Sequence, residues 1–285
     1  MVDIPELQRR LASLKKVFLE EIPLDDLDAA DPSLLSDIVP LLDLFGKVYY
    51  RLEVEGLGTV PHGPAVVVIN HNSGISFAEL LGFGARWYLE RGYDDILHGL
   101  AHDAMLKIPY LKNFLMHGGA VRASHRNADR VLERGRKILV APGGNLEAFR
   151  PHRDRHRIQF AGRTGFLKAA IRHRAPIVPA VFIGGHDTFY VIDDGRFVVE
   201  LLGLHERFRL DTFPLFLGLP WGIGVGPIFH LPLPVRCKVR ILPPILLDRY
   251  DPGDAENPEV LQELYDLVTG HMQAALDEMA EERRR

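Results

Sequence analysis

The sequence predicts an α/β fold, with a central mixed, largely parallel sheet flanked by helices, and three observations support this. Short β-branched runs recur at Ala65–Ile69, 138–141, 177–182 and 239–242, each of strand length and continuous enough to be buried on both faces. Helical stretches such as 127–136 and 165–174 lie between them, and strands alternating with helices build a sheet with helices on its faces. The chain has no internal repeat and no linker long enough to separate two large domains.

Residues 1–50 form an N-terminal helical segment, and 51–285 the α/β domain. In the first, Leu7, Leu11, Leu14, Val17 and Phe18 fall near helical spacing, and a second apolar stripe follows Asp31-Pro32. This segment packs on the domain or lies on a membrane. Its first 15 residues mix acids and bases without an apolar core, unlike a secretory signal. At the other end Asn257 caps a helix with Pro258 at its first position and Glu259 in its first turn. Residues 213–235 are apolar, without a carboxylate, lysine or arginine, but Pro214, Pro220, Pro227, Pro232 and Pro234 break any spanning helix. Two readings stand for this stretch: a surface lobe that dips into lipid or roofs an apolar pocket, or a buried irregular core loop.

The chain has 285 residues, 47% of them hydrophobic and 25% charged, enough for a well-buried core. A net charge of -4 gives no basis for nucleic-acid binding. The one cysteine, Cys237, excludes an intrachain disulfide and points to a reducing, cytoplasmic setting. Its alternating surroundings make it a strand residue rather than a nucleophile.

Ligands in open α/β sheets bind where strands end. The first such place is Asn70-His71-Asn72-Ser73-Gly74, directly after the 65–69 run. A histidine there is anchored by scaffold on one side, as a general base requires, although His71 taken alone also suits a structural role. Glu79, a turn into the following helix, offers a carboxylate for the distal ring nitrogen. Ser76-Phe77-Ala78-Glu79 is equally a capping box.

The second place is Pro142-Gly143-Gly144-Asn145-Leu146-Glu147, where glycines let backbone amides approach an anionic group. Upstream, Gly118-Gly119-Ala120-Val121-Arg122 sets an arginine after another glycine pair. The third feature is a basic field. Arg150, Arg153, Arg155, Arg157, Arg163, Lys168, Arg172 and Arg174 lie close together with Asp154 as the lone acid. Such a field suits the phosphates of coenzyme A or a phospholipid; a solvated face is the competing reading.

In this order, His71, Gly119-Ala120-Val121-Arg122, Pro142-Gly143-Gly144-Asn145-Leu146-Glu147-Ala148 and Ala175-Pro176-Ile177-Val178-Pro179-Ala180 resemble the four blocks of the glycerolipid acyltransferases. Pro-Gly-Gly with Glu147, then Gly162-Arg163-Thr164-Gly165-Phe166, resembles the monoacylglycerol/diacylglycerol acyltransferase-like branch more closely. The resemblance covers roughly residues 50–245. It implies an O-acyltransferase that moves a fatty acyl group from acyl-CoA or acyl carrier protein to a hydroxyl of a lipid acceptor such as a lysophospholipid or a mono- or diacylglycerol. His71 would be the base and Arg122 the family's phosphate-contacting arginine, with Ser73, Gly74, Gly143, Gly144, Glu147, Arg150 and Arg163 also on the substrates. No metal and no cofactor beyond the acyl-CoA co-substrate is implied. The expected location is the cytoplasmic, inner face of a membrane, in peripheral contact.

The chain departs from the family at one point: the His-x-x-x-x-Asp block has Ser76 where the aspartate belongs. Glu79 is the nearest carboxylate; Asp94, Asp95 or Asp103 could serve from elsewhere in the fold. The missing aspartate also fits a catalytically inactive lipid-binding member. A serine hydrolase would want a Gly-x-Ser-x-Gly elbow, which the chain lacks. His98 with His102, and His152 with His156, are spaced four apart but have no convincing third metal ligand.

Overall fold

The computed structural model describes residues 15, 20–72, 74–76, 78–208 and 210–285. Strands β1 (Glu53–Glu55), β2 (Ala65–Ile69), β3 (Leu97–Ala101), β4 (Val121–Arg122), β5 (Lys137–Val140), β6 (Ile177–Ile183) and β10 (Lys238–Ile241) form one sheet, in the order β1-β10-β6-β2-β5-β3-β4. From β6 to β4 every pairing is parallel; β10 runs antiparallel to β6 and carries β1 at the edge. The sheet is therefore mixed and largely parallel, as the alternating pattern predicts. Three further strands, β7 (Tyr190–Asp193), β8 (Leu215–Gly218) and β9 (Gly222–Val225), form a small antiparallel sheet.

The helices are α1 (Pro32–Tyr49), α2 (Ala78–Arg91), α3 (Asp103–Leu106), α4 (Pro109–His117), α5 (His125–Glu133), α6 (Gly144–Ala148), α7 (Gly165–Arg172), α8 (Arg196–Leu202), α9 (Leu204–Phe208) and α10 (Pro258–Glu282). Their ends obey local chemistry. Asp31 accepts from the Ser33 and Leu34 amides at the start of α1, and Asn257 accepts from Glu259 at the start of α10, with proline in the first turn of both.

β2 shows why the sheet is covered on both faces. Val66 and Val68 enter one core with α5, α7 and α10, while Ala65, Val67 and Ile69 enter the other with Phe83 and Trp87 of α2 and Val39 of α1. A strand with no solvated face has no reason to alternate polar and apolar residues. Cys237, one residue before β10, is buried in the second core.

Two expectations need revision. The stripe expected after Asp31-Pro32 is α1, but residues 20–31, read as part of the N-terminal helical segment, are turn and irregular chain. Leu7, Leu11, Leu14, Val17 and Phe18 lie outside the described residues. The 213–235 stretch is neither a buried loop nor shapeless. It contributes β8 and β9, with Phe216 buried inward and Leu217, Trp221, Ile223 and Val225 exposed outward. Among the described residues no helix is long and apolar enough to cross a membrane.

Candidate active site

β2 is central, flanked by β6 and β5, and all three run parallel, so their C-terminal ends converge on one edge. The β2 end carries Asn70, His71 and Asn72; the β5 end carries Pro142-Gly143-Gly144; the β6 end carries Gly184-Gly185-His186. Topology thus places the two turns on either side of the histidine.

Asn70 is buried and paired both ways with one residue of β6. Its Nδ2 donates to the Phe182 carbonyl at 2.8 Å, and its Oδ1 accepts from the Phe182 amide at 2.7 Å. Asn72 Nδ2 donates to the same carbonyl at 3.1 Å. His71 sits between them, half-buried, with Nδ1 3.0 Å from the Asn72 carbonyl oxygen. A carbonyl can only accept, so Nδ1 carries the proton and Nε2 is left with its lone pair. Burial, with a smaller push from the Arg150 charge, holds the imidazole below its ordinary pKa against the opposing pull of that carbonyl.

Beneath the ring lies a buried ion pair. Glu147 Oε2 accepts the His71 backbone N–H at 2.8 Å, and Oε1 accepts that of Gln159 at 2.9 Å. Arg150 Nη1 donates to the His71 carbonyl at 3.1 Å and to the Glu147 carbonyl at 3.0 Å. Its Nη2 donates to Asn72 Oδ1 and to the Arg155 carbonyl, both at 2.9 Å. Both side chains are fully buried, 3.5 Å apart. Burial raises the Glu147 pKa to about 7 against the opposing pull of Arg150 and the two amides. Neither side chain faces open space, so both hold backbone rather than reach for substrate as expected.

The double-glycine turn is shaped by the same pair. A Cβ on Gly143 would lie 2.4 Å from Glu147 Cβ and 2.6 Å from the Gln159 carbonyl oxygen. Gly144 has φ +53°, and a Cβ there would meet Arg163, which caps the turn by donating to the Pro142 carbonyl at 2.9 Å. The Gly144 amide itself is engaged by the Ala141 carbonyl at 3.1 Å. On the other flank Gly74, at φ +55°, is packed by Phe149, Phe189 and His230. Phe189 stacks on His230 at 4.1 Å, which joins the small sheet to the histidine loop. Ser73 lies outside the described residues.

The family model for diacylglycerol acyltransferase matches residues 65–216, more than half of the chain and every strand end just described. The chain belongs to the diacylglycerol acyltransferase family. An uncharacterized protein of Mycobacterium tuberculosis is 33% identical over 248 residues, which is 86% of this chain and 66% of that protein. The chain thus spans slightly under two thirds of that relative. A "DGAT1/2-independent enzyme synthesizing storage lipids" of Gallus gallus is 27% identical over 183 residues, 64% of this chain and 53% of that one. The solved 1-acyl-sn-glycerophosphate acyltransferase of Thermotoga maritima shares the fold, with a TM-score of 0.50, 17% identity and 98% of each chain covered.

For a diacylglycerol acyltransferase family member, the remaining predicted residues fall as follows. Glu79 is buried on α2, where a Cβ on Gly185 would come within 2.5 Å of its Oε1. Its charge acts on the Tyr50 hydroxyl and the Cys237 thiol, both raised chiefly by burial. The His71 ring nitrogen Nδ1 is engaged by Asn72, and the charge acting on the ring is that of Arg150. Arg122, at the far edge of the sheet, is part-exposed and pairs with the Asp25 carboxylate.

The basic field is largely neutralised by acids from distant parts of the chain. Arg163 pairs with Asp211, Lys168 with Glu256, Arg172 with Asp129 and Arg174 with Asp251. No window of local sequence shows those partners. The spaced histidines separate as well: His98 Nδ1 faces the Gly119 carbonyl at 2.9 Å and His102 caps α3. His152 Nε2 meets Asp187 at 3.0 Å, and among the described residues no cluster of three metal-ligating groups forms. Sequence reasoning missed Asn70, Asn72 and His186 as members of the site. Asn70 and Asn72 flank His71 in the sequence, and that adjacency was the available signal.

Proposed function

We propose that the chain is an O-acyltransferase that moves a fatty acyl group from a thioester donor, acyl-CoA or acyl carrier protein, to the hydroxyl of a lipid acceptor. The observation that carries this reading is the His71 Nδ1 contact with the Asn72 carbonyl, which leaves Nε2 as an oriented base at the end of the central strand. Nε2 takes the proton of the acceptor hydroxyl as its oxygen attacks the thioester carbonyl. When the tetrahedral adduct collapses, the C–S bond breaks and the proton passes from the imidazolium to the departing thiolate. Backbone amides of the Ser73-Gly74 loop and of Gly143 are the donors proposed for the oxyanion. The Asn72 carbonyl takes over the orienting part expected of Glu79.

The acceptors considered are lysophospholipids and mono- or diacylglycerols. The Arg122–Asp25 pair supports the uncharged glycerides, since the arginine that resembles the family's phosphate contact is paired with a carboxylate of this chain. The printed names of the chicken relative and of the human diacylglycerol O-acyltransferase 2, 29% identical over 86 residues (29% of this chain, 22% of that one), point the same way.

Lipid contact is assigned to one apolar face. Leu41, Leu44, Phe45 and Val48 are exposed along α1 at helical spacing, and Leu217, Leu219, Trp221, Ile223 and Val225 are exposed around β8 and β9. The Tyr49 hydroxyl donates to the Pro232 carbonyl at 2.8 Å, which ties α1 to the chain that follows β9.

The test is acyl transfer from labelled acyl-CoA to a panel of acceptors. His71→Ala is expected to lower kcat about a hundredfold to ten-thousandfold, the usual contribution of a general base, with folding intact. No acyl-enzyme should accumulate during turnover. Wild-type transfer by His71→Ala ends the base assignment, and no transfer by the wild-type chain to any acceptor favours a lipid-binding protein.

A further inference from the structure

We propose that Glu147 and Arg150 form a positioning pair that aims the His71 imidazole by gripping the peptide groups on either side of its Cα. This rests on the reading of His71 as the base. The parallel ladder between β2 and β6 ends at Ile69 and Ala180, so His71 is beyond the hydrogen bonds that hold the strand. Its backbone N–H and C=O are taken instead by the two side chains, the carboxylate at 2.8 Å and the guanidinium at 3.1 Å. The guanidinium also holds Asn72 Oδ1, the side chain of the residue whose carbonyl orients the ring. Glu147 extends the grip to Gln159, and Gly143 leaves the space its side chain fills.

Stability alone does not account for this arrangement. Desolvating two charges costs about as much as their attraction returns, and an apolar pair of the same volume is often as stable or more so. What apolar side chains cannot supply is one acceptor for the His71 N–H and one donor for its carbonyl. The charged and titratable groups around Glu147 are Arg150, Arg163, His71 and His186, with Asp154 and Glu79 facing Arg150. Burial brings the Glu147 pKa to about 7. Below that pH the carboxyl gains a proton, and its attraction for Arg150 and the two amides weakens.

The experiment is steady-state acyl transfer by Glu147→Gln, Arg150→Met and the double variant, with kcat and KM measured from roughly pH 5.5 to 8.5, on either side of the Glu147 value of about 7. Glutamine keeps the shape but turns an NH2 toward one of the two amides. Each single variant should lose about tenfold to a hundredfold in kcat, the scale of an ångström's misplacement, with KM nearly unchanged. The double variant should lose no more than the worse single one. The wild-type fall in kcat through about pH 7 should move to lower pH in Glu147→Gln, where only the depressed His71 titration remains.

Unchanged kcat, a loss confined to KM, or losses that multiply in the double variant would each overturn the proposal. Should a variant fail to fold by circular dichroism, Glu147→Asp, which keeps the charge but withdraws it, must show the same kcat loss. Wild-type kcat there overturns the pair's role. Inactive His71→Ala alongside unaffected Glu147 variants would leave the base assignment standing and remove only this inference.

Discussion

Asn70→Ala removes two buried hydrogen bonds at once, and the structure apportions the cost between them. The bond from Nδ2 to the Phe182 carbonyl is replaceable, because Asn72 Nδ2 reaches the same oxygen at 3.1 Å. Its loss costs about 1 kcal/mol, the net worth of a typical intramolecular bond. The bond from the Phe182 amide to Oδ1 has no such substitute in view, and a buried N–H left unmade costs about 1–3 kcal/mol. Together the variant should be destabilised by about 2–4 kcal/mol. Urea unfolding followed by far-ultraviolet circular dichroism measures this as a lower midpoint with an unchanged slope. The same change unfastens the β2 end immediately before His71, so kcat should fall about tenfold or more while KM moves little. A variant with wild-type midpoint and wild-type kcat would refute the claim that Asn70 pins the histidine to β6.

Gly143→Ala should be destabilised by about 1–3 kcal/mol, the ordinary cost of overpacking. Its Cβ would fall 2.4 Å from Glu147 Cβ and 2.6 Å from the Gln159 carbonyl oxygen; a thermal midpoint at the wild-type value would contradict that packing. On the apolar face, Ile223→Asp and Val48→Asp should each weaken binding to phosphatidylcholine vesicles by at least about tenfold, since each removes an apolar side chain worth about 1.5–3 kcal/mol when buried. Turnover on a dispersed short-chain acceptor should be unchanged in both, and vesicle sedimentation equal to wild type would remove that face from the account.

How legible the molecule was follows from the range of the interactions involved. The β2 and β6 runs and the apolar part of β5 were visible because strands buried on both faces must be apolar throughout, and β10 was visible by the alternation of Val239 and Ile241 with Lys238 and Arg240. β1, β3 and β4 were not: β3 holds a glycine and a histidine, and β4 is two residues long. The antiparallel β7–β9 sheet was hidden because its outer face is apolar, which removes the alternation that marks a half-buried strand. His71 and the double-glycine turn were legible as strand-end features. The basic field misled, because Asp129, Asp211, Asp251 and Glu256 approach it from outside the local window.

By itself, then, the chain's order of residues determined a largely parallel sheet, a histidine at the end of one buried strand and the resemblance to an acyltransferase family. Each rests on short local patterns, a dozen residues or fewer, and on the order in which they follow one another. Only the tertiary structure decided what each polar group in the site does. It turned Glu147 and Arg150 inward onto the His71 peptide, engaged Nδ1 with Asn72 and paired Arg122 with Asp25. A side chain's role is set by which donors and acceptors come within about 3 Å of it, and those partners lie 76, 79 and 97 residues away for Glu147, Arg150 and Arg122.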